Sequence, residues 1–310
     1  MKNRSKAVIS AAAALMMLGA GCSINNNSGA QSSAADSAAQ SAVNTEAPAA
    51  DVSETESEQS SGKSESASDN KADITLDGST AAISEGAQGV TVSGSVVTVS
   101  AAGDYTFTGT LDDGQIIVNA PKTDKVDIYL NNVTVNCSAS APIRIEQADG
   151  VTIHLMEGTV NTFTDSAANN VSACISSKDD LTIKGKGTLN VTGAAKHAIK
   201  SSNDIRIKNG VLNLSAASAA VYGEDSVQLT GGTITVTSCK DGIKASNKVE
   251  ADKGFVTSEE ATVDIQNASG NGIEAVTGVT VKSGSIKIHS LKQAVNCKVQ
   301  SLADGCVTKY

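Results

Sequence analysis

Tryptophan is absent from this chain, and Phe and Tyr together account for only 2% of its 310 residues. Stacked rings therefore cannot be what fills its core. Proline is limited to three residues, as is histidine, and His154, His197 and His289 stand apart from any Ser or Cys nucleophile motif. No GxSxG, HExxH or P-loop sequence occurs, which removes the common signatures of serine hydrolases, zinc proteases and nucleotide hydrolases. The cysteines form no CxxC pair of the metal-binding kind. Apart from Cys22 they are five, Cys137, Cys174, Cys239, Cys297 and Cys306, at irregular spacing, so at most two disulfides can form. Small buried positions suit them, with Cys297 to Cys306 the pair best placed for a bridge. Beyond the N-terminal segment no run of eighteen apolar residues exists, so nothing later is long enough to span a bilayer as a helix.

Basic charge is also scarce. The net charge is −9, of which Lys2, Arg4 and Lys6 contribute +3 at the N-terminus, while residues 23–72 contribute −6 from eight acids set against Lys63 and Lys71. The remaining body is then about −6, and a mildly acidic body argues against nucleic acid, whose phosphates need a concentrated basic face.

What is present begins with a basic start, the apolar run "AVISAAAALMMLGA" and Gly21-Cys22-Ser23, the pattern of an export signal over residues 1–22. "LGAGC" resembles the bacterial lipobox, in which the cysteine is acylated, although Leu18 stands one place further from Cys22 than that motif prefers. The expected product is exported, lipid-anchored through Cys22 and exposed at the cell surface, touching the membrane only through that anchor. Residues 23–72 hold Ser, Ala, Asn and acids with no ring, too little apolar bulk to fold, and read as a disordered tether.

The body repeats. Leu229, Ile234, Val236 and Ile243 have the same internal offsets as Ile207, Leu212, Leu214 and Val221, and as Val281, Ile286, Ile288 and Val295. Looser copies upstream extend the last anchor to the series Ile143, Ile175, Ile199, Val221, Ile243, Ile273 and Val295, in steps of 32, 24, 22, 22, 30 and 22. Before each anchor stands a small residue or proline: Pro142, Cys174, Ala198, Ala220, Gly242, Gly272 and Ala294. Short alternating strands lie between Gly-Gly, Asn-Gly and Ser-Gly turns, with no 3.6-residue period. A β-sandwich would supply such hairpins but no fixed register across seven rungs. The pattern predicts an all-β protein, a right-handed parallel β-helix in which coils ~4.8 Å apart stack like on like and leave large rings no room. Residues 73–123 are expected to be strands capping the solenoid, with Tyr105, Phe107 and Tyr129 near that end, and residues 124–310 the β-helix itself.

The phrases "GDYTFTGTLDDGQIIVNAPKTDKVDIYLNNVTV", "DDLTIKGKGTLNVTG", "GGTITVTSCKDGIKASN" and "ADKGFV", in this order, resemble an exported bacterial family of carbohydrate-binding β-helix proteins over about residues 73–298. The resemblance implies a solenoid related in shape to pectate lyases that binds plant cell-wall polysaccharide, polygalacturonate or cellulose, and contains Ca²⁺.

Residues following the anchors point outward and form one stripe: Arg144, Ser176, Lys200, Tyr222, Lys244, Glu274 and Asn296. Arg144, Lys200, Tyr222 and Lys244 are the candidates for gripping an acidic polysaccharide, because cations pair with uronates and a ring packs on a sugar face. A solvated face selected for solubility is the alternative reading. Two residues before the anchors a second column reads Ala141, Ala173, His197, Ala219, Asp241, Asn271 and Gln293. Asp241 and Asn271, with Glu250 and Asp252 from the inserted loop, are the candidate Ca²⁺ ligands, since that ion takes six to eight hard oxygens. Ordinary corner chemistry explains Asp and Asn before Gly equally. Asp149, Asp179, Asn203 and Asp225, stacked in successive rungs, are a second candidate ion site. The function expected is a non-catalytic, calcium-assisted binder of acidic polysaccharide. A calcium-dependent uronate lyase using Lys200 or Lys244 as base, or a structural adhesin of the envelope, are the alternatives.

Overall fold

The computed structural model describes residues 70–310. The export signal, the Cys22 anchor and all but the end of the tether lie outside the described residues. Among the described residues every regular element is a strand. One coil consists of three: His197–Ser201, Asp204–Ile207 and Val211–Ala216, after which Ala219–Gly223 opens the next coil directly below the first strand.

Stacking these coils produces three faces. The first is a ten-stranded sheet running from Val90–Ser93 to Val295–Asn296, parallel throughout except for its outermost pair. The second and third faces form one eighteen-stranded sheet. They are joined because Lys125–Cys137 runs through both, pairing its first half with Gly150–Leu155 and its second with Val160–Asp165. Asn132, at φ 55°, turns the corner within that strand, a left-handed conformation that asparagine tolerates better than most residues.

The repeat seen in the sequence is the stacking register. Ile143, Ile175, Ile199, Val221, Ile243, Ile273 and Val295 are direct neighbours in one file. All but Val295 are fully buried. Such a file withdraws each β-branched side chain from water at about 1.5–3 kcal/mol per residue. The absence of rings is not complete: Phe163 is fully buried in a middle coil, between Val135 and Val191 of the adjacent coils, so the interior does accept a ring. Asn161, also fully buried, ties three coils together. Its Oδ1 accepts the Val133 N–H at 3.0 Å and its Nδ2 donates to the Thr188 carbonyl at 3.2 Å and to Thr159 Oγ1 at 3.1 Å.

At the N-terminal end the parallel winding reaches further back than residue 124. Val96–Val99 already pairs parallel with Gln115–Asn119, and Lys71–Gly78 with Gly103–Leu111. The first strand begins at Lys71, two residues inside the stretch assigned to the tether. The cap is two strands, Thr80–Ile83 and Val90–Ser93, antiparallel to Lys71–Gly78 and Val96–Val99 respectively, which cover the open edges that would otherwise invite further strands. Beneath them Tyr105 is fully buried, its hydroxyl donating to the Ala101 carbonyl at 2.9 Å. Gly89, at φ +69°, makes room: a Cβ there would stand 2.6 Å from that hydroxyl. The Cys297 to Cys306 bridge does not form, and the five cysteines among the described residues are free, with Cys137, Cys174 and Cys239 buried.

Candidate carbohydrate-binding face

Because side chains alternate along a strand, fixing the anchors inward sends the next residue of each rung outward. The first face accordingly carries Arg144, Ser176, Lys200, Tyr222, Lys244, Glu274 and Asn296 in one file, each in register with the next. The cations Arg144, Lys200 and Lys244 recur at every second coil, roughly 10 Å apart at the usual strand spacing.

Their surroundings differ. Arg144 is held by Glu146, Nε to Oε1 at 2.5 Å, and Lys178 shares the same carboxyl group. Lys244 donates to Glu274 at 2.7 Å and lies 3.6 Å from Asp241. Burial would lower its pKa, but bonding to Glu274 and the charges of Glu274 and Asp241 outweigh that and hold the ammonium above the usual lysine value. Lys200 has no carboxylate at ion-pair distance among the described residues. Its Nζ lies 5.6 Å from the centre of the Tyr222 ring and donates to Ser202 Oγ at 3.2 Å. Burial pulls its pKa down; Glu224 opposes this and Lys196 adds to it. Tyr222 is fixed at both ends, its hydroxyl bonded to Ser246 Oγ and its ring 4.6 Å from that of His197. The centre of the stripe is thus a half-buried cation against a positioned pair of rings.

The neighbouring column, in which Ca²⁺ ligands are expected, does different work. His197 Nδ1 accepts the Ala219 N–H at 3.0 Å, Asp241 Oδ1 accepts the Asn271 N–H at 3.0 Å, and Asn271 Oδ1 accepts the Gln293 N–H at 3.2 Å. Each polar side chain caps a backbone donor of the following coil. Asp241 and Asn271 are brought together, as expected. Glu250 is elsewhere, with Lys253 lying 2.9 Å from it and 3.0 Å from Asp225. Asp252 joins neither group. In the second candidate stack, Asp179 accepts the Ala148 N–H at 3.1 Å and pairs with Lys122 at 3.6 Å, and Asp225 pairs with Lys253. Among the described residues no three His, Cys, Asp or Glu side chains converge in a metal-binding group. Asp241 is held by an ammonium and a backbone N–H, and Glu250 by an ammonium in another group, so the oxygen donors expected for Ca²⁺ do not gather round one ion.

His197 as the ring partner of Tyr222 was not evident in the sequence, although its position one rung earlier, in the adjacent column, is the signal that would have found it.

A family model for carbohydrate-binding domain-containing proteins matches residues 93–306. The chain belongs to this family. A carbohydrate-binding domain-containing protein of Acetivibrio thermocellus is 35% identical over 230 residues, covering 71% of this chain and 80% of the relative. A solved structure, that of the polysaccharide lyase-like protein from C. thermocellum as a gadolinium derivative, superposes with a TM-score of 0.74 at 33% identity. It covers 77% of this chain and the whole of that one. The carbohydrate-binding family thus has a polysaccharide-lyase-like fold here.

Proposed function

We propose that the protein is a surface-anchored, non-catalytic binder of acidic polysaccharide of the polygalacturonate type, and that the first face is its binding surface. The observation that carries this is Lys200: an ammonium without a carboxylate partner among the described residues, set against the Tyr222 and His197 rings. A uronate can pair with such a cation while its ring packs on the tyrosine, and a charge-assisted hydrogen bond in a partly desolvated place is the strong kind. Arg144 and Lys244, two coils away on either side, extend the positive spacing along a polymer. Their own carboxylate partners make them secondary contributors.

Calorimetric titration of the protein with polygalacturonate tests this reading. Lys200→Ala should weaken binding about tenfold, equivalent to roughly 1.4 kcal/mol, with a smaller loss for Lys244→Ala. Unchanged affinity in Lys200→Ala would remove the first face from consideration. Because the lysine supplies the charge, EDTA should leave binding unchanged; loss on chelation would reinstate calcium at residues other than the expected set. Lipid labelling of the expressed protein that disappears in Cys22→Ser tests the anchor.

Lyase activity is the second reading, favoured by the lowered pKa of Lys200, which brings an amine closer to service as a base. Lys244, held as an ammonium, is unsuited to that role. Ultraviolet-absorbing unsaturated product from polygalacturonate would establish it.

A further inference from the structure

All three histidines lie against a tyrosine one coil away, and each pair is on a different face. His197 pairs with Tyr222 on the first face at 4.6 Å between ring centres, His154 with Tyr129 on the second at 4.1 Å, and His289 with Tyr310 on the third at 5.7 Å. In a chain with so few rings, the second-face pair borders a pocket of about 290 Å³.

That pocket is formed by the first coils. Lys71 and Asp73 stand in register with Asp104 and Thr106, and these with Asp127 and Tyr129. Tyr129 is one wall, and Thr106, the small residue in the preceding coil, leaves its near side open, while His154 covers the other side, stacked at 20°. His154 is fixed in turn by Asp127 at 2.6 Å. At the Tyr129 hydroxyl, burial, followed by the charges of Asp104 and Asp127, raises the pKa, so it remains a neutral donor. Asp73, Asp104, Ser84 and Thr106 place acceptors around the ring. The one cation, Lys71, is largely exposed and lies 4.0 Å from Asp104.

We infer that this pocket is a second glycan-binding site, distinct from the first-face stripe, and that it takes a basic amino sugar of the glucosamine type. A fixed ring offers its face to the C–H side of a pyranose and to a nearby ammonium. The carboxylates of Asp73 and Asp104 accept hydroxyl and ammonium hydrogens, and the same charges repel a uronate. The two faces therefore select sugars of opposite charge. Uronates go to Lys200, and amino sugars go to Tyr129 and Asp104. Either assignment can fail without the other.

The test is calorimetric titration of the intact protein with glucosamine oligomers, their N-acetylated counterparts and polygalacturonate. Wild type should bind the free-amine oligomer at least about tenfold more tightly than the acetylated one, since acetylation removes the charge that the carboxylates and ring recognise. Tyr129→Ala and Asp104→Asn should each weaken that binding about tenfold, while Tyr129→Phe, which keeps the ring, should retain most of it. Lys200→Ala should leave it unchanged. Melting curves establish that each variant is folded, and Asp104→Asn carries the test if Tyr129→Ala is not. Absence of free-amine binding, equal affinity for both oligomers, or a loss caused by Lys200→Ala with none caused by Asp104→Asn would each overturn the assignment.

Discussion

Lowering the pH should unfasten the coil at His197 before it affects the hydrophobic file. The imidazole is buried, and burial first, then the positive charge of Lys196, with Lys200 and Lys244 contributing, lowers its pKa from 6.5 to about 4. Its Nδ1 accepts the Ala219 N–H, which only an unprotonated nitrogen can do. For a base whose folded value is depressed, the unfolded chain binds more protons between the two values. The stabilisation is therefore fully present above about pH 6.5 and is lost as pH falls toward 4. The fall from 6.5 to about 4 corresponds to on the order of 3 kcal/mol, or roughly 6–12 °C in melting temperature for a domain of this size. Carboxylates titrate in the lower part of the same window, so the wild-type profile alone does not isolate the histidine. His197→Asn does, because it copies the solution that the chain itself uses at Asn271, an amide oxygen accepting the next coil's N–H without titrating. Thermal unfolding followed by circular dichroism at pH 7 and pH 4.5 should show a clearly smaller drop in the variant. Identical drops, within one or two degrees, would refute the reasoning.

Removing the three-coil tie by Asn161→Ala orphans the Val133 N–H and the Thr188 carbonyl and should cost about 2–4 kcal/mol, read as a lower midpoint in urea. Gly89→Ala forces a Cβ to within 2.6 Å of the Tyr105 hydroxyl in a left-handed backbone, so the cap should loosen. Faster amide exchange in Val90–Val99 than in the middle coils would report this, and an unchanged exchange pattern would contradict it. Among the five cysteines of the described residues, thiol titration should find Cys137, Cys174 and Cys239 protected until the protein is unfolded, with the half-buried Cys297 and Cys306 reacting earlier. Ile199→Ala, in the centre of the first-face file, should cost about 2–5 kcal/mol.

Much of the fold was legible because stacking converts a 22-residue offset into contact: Ile199, Val221 and Ile243 announce their neighbours through identical spacing. The outward stripe follows from strand alternation, so Lys200, Tyr222 and Lys244 could be placed on one face before any coordinates. What could not be read was how each charge is spent. Asp241 looks like a metal ligand in a list of oxygens, yet the Asn271 N–H and Lys244, residues in register with its own coil and the next, claim it. Glu250 is drawn to Lys253, three residues on, and not to Asp241. The N-terminal boundary was misplaced for a related reason. Gly103–Leu111 runs through two faces without a turn, which hides the periodicity although the winding is already parallel. The pocket beside Tyr129 depends on residues from Lys71, Asp104 and Tyr129, an irregular stretch where no repeat offset pointed.

The steps from Ile199 to Val221 and from Val221 to Ile243 have the same length, and neither carries an inserted loop. A segment of that length is therefore an interchangeable brick: duplicating one in the gene would lengthen the rod by a single layer and insert another outward residue into the stripe, leaving the layers above and below unaware of it. Reach along a polymer can thus grow by copying, without any existing contact having to be redesigned.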